Sequence, residues 1–385
     1  MADDNPPPPL ILAPRTTTQI LHQTTTIFYS THHHVRIFLI LSFLLFSSRV
    51  SIENLTHHLI TSFVDNNHEI ESLLSRFQPI NTTTTTSHQL TQFGILEDDN
   101  ELDHQYGFRS VEIIKNENDT DTIINNATDT MLTNFEDHEL KTLMSFIWEI
   151  VISHLLIFLA CACLHTWVHG VVFVVVVNDF LNRQDRSEHA LWPGALLGSR
   201  RLAWLVFLRW GVRYVMSLVL GCWFFKQVVD PYLQIKIMVR LMFMPFSTVS
   251  PWVEGFEPEF FRFIVAWFLF DILVSFGYFS LHAWVAMADR PRRTRRGVIE
   301  EGCHLLSLMS EPAINLKLLE VLGCDWFVGH ILPHILGKVH ADMILCNLEV
   351  YFMVAWMMHY VSVKSKDAAL NGQRFGRREL EVMVE

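Results

Sequence analysis

Apolar and polar positions divide the chain into long hydrophobic runs set among polar stretches, with the sharpest change near residue 143. Residues 144–180 are almost unbroken in apolar character, from Met144 through the valines at 174–177. At a rise of about 1.5 Å per residue this run makes about 55 Å of helix, against a hydrocarbon core of about 30 Å. No proline marks a turn near His169-Gly170, so the pattern predicts one crossing that projects beyond the bilayer. Further spans are predicted at 202–225, 260–287 and 342–363, each long enough to cross. A weaker candidate covers 318–336, where Glu320, Asp325 and Pro333 interrupt the apolar positions. The first apolar run, 35–48, falls short of the roughly 20 residues a spanning helix needs, and reads as a short signal anchor.

The polar stretches organise the remainder. Residues 1–34 open on a proline run and continue into a Thr- and His-rich stretch ending at His32-His33-His34, and read as a disordered tail. Residues 49–142 carry a threonine run, acidic clusters and few aromatics. They predict a largely disordered, non-cytoplasmic loop with an amphipathic helix over 52–77. Within 227–253, Lys236 and Arg240 lie one helical turn apart among apolar residues, as in a helix lying in the membrane interface. Residues 297–322 predict one or two amphipathic helices broken at Pro312. The expected fold is therefore all-α and polytopic, with about four to six membrane segments in 143–363, a disordered N-terminal third and a basic cytoplasmic tail over 364–385.

Composition agrees with a membrane protein. Half of the residues are hydrophobic, mean hydropathy is +0.25, and only 18% are charged, against about 25% in soluble domains. The net charge of −11 comes from 49–142, where seventeen acidic residues face five basic ones. The strongest orientation signal is the cluster Arg290, Arg292, Arg293, Arg295 and Arg296, directly after the 260–287 run. Basic residues flanking spans stay cytoplasmic, which places 181–201 on the same side and 49–142 outside or in a lumen. Four N-glycosylation sequons fall in that segment, at Asn54, Asn81, Asn118 and Asn126, although a stretch so rich in Asn and Thr yields some by chance. The arginine cluster predicts contact with the bilayer and its anionic lipid headgroups; its place beside a span argues against nucleic acid.

Charged groups at membrane depth are costly and are therefore the first candidates for chemistry. Arg209 and Arg213 share one helical face, and Asp271 in the next long run is their natural partner, with Glu349 and Glu149 as alternatives. Such a set either forms a packing ion pair or belongs to a permeation pathway. His165 and His169, and His330 and His334, are spaced so that each pair shares a helical face and could chelate a metal. Membrane desaturases and hydroxylases use histidine clusters of broadly this kind, but their dense boxes are missing here and Pro333 disturbs the second pair. The six cysteines form no CxxC pair and read as buried apolar groups. No phosphate-binding glycine loop, nucleophile elbow or internal repeat is present, and no cofactor is expected.

These features point first to a non-enzymatic scaffold or interaction component of a eukaryotic endomembrane system or plasma membrane. A transporter or channel component using Arg209, Arg213 and Asp271 is the second reading. A histidine-metal-dependent membrane enzyme is the third.

Overall fold

The computed structural model describes residues 15–61, 121–181, 183, 191–226, 228, 231–245, 257–288, 294–373, 375–376 and 379–381. The expected disorder over 62–120, the sequons at Asn81 and Asn118, and Arg290, Arg292 and Arg293 lie outside the described residues. Among the described residues there are helices and no strands. In chain order the helices are α1 (Thr17–Tyr29), α2 (His32–Leu59), α3 (Asp121–Phe180), α4 (Leu191–Phe224), α5 (Pro231–Phe243) and α6 (Glu257–Val274). They continue as α7 (His282–Ala288), α8 (Arg295–Leu308), α9 (Ser310–Glu320), α10 (Leu332–Leu336) and α11 (Lys338–Leu370). Wider π-helical turns join α6 towards α7 (Ser275–Phe279) and α9 to α10 (Val321–Ile331).

Four helices are long and apolar enough to cross a bilayer: His32–Leu59, Ile147–Phe180, Leu191–Phe224 and Lys338–Leu370. Between their end turns such helices pair their backbone groups within the segment, as hydrocarbon demands. Large apolar side chains face outward along them, among them Leu155 and Leu156 on α3 and Val215 and Val219 on α4. This is the surface of a membrane protein. The first run is longer than its apolar core suggests, because Thr31 caps α2 by accepting from the His34 amide, and the helix continues through Arg49 to Leu59. The stretch read as a tail also contains a helix. Thr16 and Gln19 form a reciprocal capping box that starts α1.

The 260–287 run is not one regular helix, since α6 widens into the π turn at Ser275. Near 309 the break falls at Met309, and Pro312 lies in the first turn of α9, where its missing N–H needs no partner.

Packing follows from small residues and one buried helix. α3 and α4 form an antiparallel hairpin held by Gly170, Gly194 and Gly198. A Cβ at Gly198 would overlap the Thr166 carbonyl oxygen, and one at Gly170 would overlap the Gly194 carbonyl. Small residues at such spacing let membrane helices approach closely enough for dense van der Waals contact. α11 is the axis of the bundle. From Val350 to Val363 nearly every residue is buried, as in a helix surrounded by others. The α1–α2 hairpin docks on α11: Tyr351 Oη donates to the Leu21 carbonyl at 3.2 Å and lies 3.1 Å from Thr25 Oγ1.

Candidate functional site

The helices α2, α3, α4, α6, α9 and α11 frame a partly open cavity of about 550 Å³. Its polar lining follows helical spacing. Arg49 and Glu53 are one turn apart on α2, His165 and His169 on α3, and Arg209 and Arg213 on α4. Asp271 and Ser275 are likewise one turn apart at the end of α6, and Lys317 and Glu320 share a face of α9. With Glu349 on α11, six helices thus turn charged or hydrogen-bonding residues to one space.

Most of the charges are paired. Arg213 Nε lies 2.8 Å from Asp271 Oδ1, and its Nη2 donates to Oδ2 at 3.2 Å. The same guanidinium lies over two indole rings, 5.1 Å from the Trp210 centroid and 5.5 Å from that of Trp267. Arg49 meets Glu349 at 3.4 Å. Glu53 is engaged by Lys338. Lys317 Nζ lies 3.0 Å from Glu320 Oε1, while Glu320 Oε2 accepts from Trp356 Nε1 at 2.8 Å.

Arg209 differs. Its contact among the described residues is a 3.5 Å hydrogen bond to Ser275 Oγ, and no carboxylate lies within ion-pair distance. Ser275 Oγ also accepts from Lys317 Nζ at 3.3 Å. Two cations therefore converge on one buried hydroxyl, at the residue where the helix widens into a π turn. Such turns recur at functional positions.

The two histidines of α3 also line the cavity. His165 Nδ1 lies 2.9 Å from the Cys161 carbonyl, and His169 Nδ1 lies 2.8 Å from the His165 carbonyl. A carbonyl can only accept, so each Nδ1 carries the hydrogen and each Nε2 keeps a lone pair. His165 packs edge-on to Trp210 and His169 against Trp284, which fixes both rings.

Of the charged groups singled out in the sequence, four line the cavity: Arg209, Arg213, Asp271 and Glu349. Glu349 serves Arg49 rather than either α4 arginine. Glu149 is on the exposed face of α3, away from the cavity. His334 is exposed, and the His330 side chain lies outside the described residues. Among the described residues no group of three or more His, Cys, Asp and Glu could hold a metal ion.

Asn54 is exposed on α2, with Thr56 of its sequon buried. Asn126 lies on the N-terminal part of α3, and its side chain is outside the described residues. In the basic cluster, Arg295 lies 5.7 Å over the Trp204 ring and Arg296 pairs with Glu300.

Sequence reasoning missed Arg49, Ser275, Lys317 and Glu320. Arg49 looked like the polar flank of a short run because the length of α2 was underestimated. Glu320 was read only as an interruption of the weak apolar run over 318–336, and Lys317 fell in the amphipathic stretch before it. Their i, i+3 spacing was the available signal.

A family of unknown function, DUF7813, matches residues 13–100 and 96–384. The chain belongs to this family. Its match covers every element that lines the cavity, from α2 to α11. No curated protein and no solved structure matches the chain.

Proposed function

We propose that this DUF7813 protein binds and passes a polar solute through its membrane domain, as a transporter or channel component. The supporting observation is the charged cavity itself. A volume of about 550 Å³ falls within the range of small-molecule sites, about 300–1,000 Å³. A bundle that needed ion pairs only for packing would close around them. Here Arg49, Arg209, Arg213 and Lys317 come from three helices to one open space. Charged groups at membrane depth characteristically line solute pathways. The cavity favours this role over a scaffold, whose partners would meet the outer surface.

Thiol accessibility tests the reading. In a cysteine-free background, Ser48→Cys places a thiol in the cavity wall, and Leu273→Cys places one on the outer apolar face. A charged, membrane-impermeant methanethiosulfonate should modify the first much faster than the second. Equal resistance of both positions would mean that water does not enter the cavity.

A further inference from the structure

We infer that the cavity recognises an oxyanion, a carboxylate or phosphate group, at Arg209, Lys317 and Ser275. The inference rests on the solute-cavity reading above and names the class of solute. Each other cavity arginine has its carboxylate: Arg213 is held by Asp271 through two contacts, and Arg49 by Glu349.

At Ser275 the balance differs. Arg209 Nη2 and Lys317 Nζ both donate to its oxygen, at 3.5 Å and 3.3 Å, and one carboxylate, Glu320, serves the two cations. Glu320 is itself tied to Trp356, and its contact is with Lys317 and not with Arg209. Arg209 is left without a carboxylate in direct contact, and its guanidinium, with five N–H donors, has its hydrogen bond to Ser275. A guanidinium fork matches the paired oxygens of a carboxylate or phosphate, and such charge-assisted bonds are the strong ones. A neutral polar solute would offer this guanidinium no paired anionic oxygens, and a cation would bring it no acceptor at all.

The same oxyanion chemistry comes from two sources, a dissolved anion or the headgroup of an anionic lipid. The test uses the full chain in phosphatidylcholine nanodiscs, with inorganic phosphate as the soluble probe and phosphatidic acid added to the discs as the lipid probe. Melting temperature is the readout, against a chloride control of equal ionic strength. Phosphate should stabilise the wild-type protein saturably. Arg209→Gln should weaken that response about tenfold or more. Arg209→Lys, which keeps the charge without the fork, should fall between, and Arg262→Gln, on the exposed face of α6, should leave it unchanged.

An Arg209-dependent response to phosphatidic acid alone assigns the headgroup as the occupant and equally supports the site. A response to neither probe, or one that survives Arg209→Gln, overturns the inference. If Ser48→Cys is nonetheless labelled, only the anion assignment falls. If it resists labelling, the cavity reading falls with it.

Discussion

Arg213 on α4 and Asp271 on α6 form a two-point ion pair, 2.8 Å from Nε to Oδ1 and 3.2 Å from Nη2 to Oδ2, under the faces of Trp210 and Trp267. Both partners are mostly buried, with side-chain exposures of 20% and 23%. The pair links the α3–α4 hairpin to α6 at the cavity wall, one turn away from the residues left for a ligand.

That geometry predicts an asymmetric response to mutation. Asp271→Asn leaves the Arg213 guanidinium buried without its anion and should cost about 3–5 kcal/mol of stability. Replacing both partners by apolar residues of similar size, Arg213→Met with Asp271→Leu, should recover most of that loss. Thermal unfolding of the purified variants in detergent checks this. Equal loss in the single and double variants would show that the pair does not act as a unit.

The α3–α4 hairpin gives a second contrast. Gly198→Ala pushes a methyl group into the Thr166 carbonyl and should cost about 3 kcal/mol, the upper part of the usual overpacking range. Gly211, on the same helix, has nothing within 4 Å of an added Cβ. Gly211→Ala should therefore be neutral or gain about 1 kcal/mol from helix propensity. Comparing the melting temperatures of the two variants separates close packing from propensity.

How much of this was legible follows from what each signal depends on. Three of the four long apolar helices, α3, α4 and α11, were visible because hydrophobic length reports bilayer thickness; α2 was read too short, and the 260–287 run was read as a span although α6 is not among the four. Arg213 with Asp271 was visible because an arginine at that depth needs an anion. The start of α1 was also written in the sequence, as Thr16-x-x-Gln19, but a polar N-terminal stretch masked it. The small-residue spacing of Gly194 and Gly198 was equally readable. The pairing of Glu349 with Arg49 was not, because it depends on which helices become neighbours. Nor was the isolation of Arg209, which is visible only once every nearby carboxylate has been assigned.

Glycosylation tests the side of the membrane and the reach of α2 together. Asn54 lies within α2, with Thr56 of its sequon buried against the bundle, so it should not be modified. In eukaryotic cells, Asn54→Gln should leave any glycosidase-sensitive mobility shift unchanged. Loss of the shift in that variant would show that α2 ends before Asn54.

If Arg209 answers to a ligand rather than to the protein, a cryo-electron-microscopy map of the full chain in native-lipid nanodiscs should show density from a non-protein group at hydrogen-bond distance from its guanidinium, beside Ser275 and Lys317. A collapsed cavity with Arg209 paired to a carboxylate of the chain would overturn that reading.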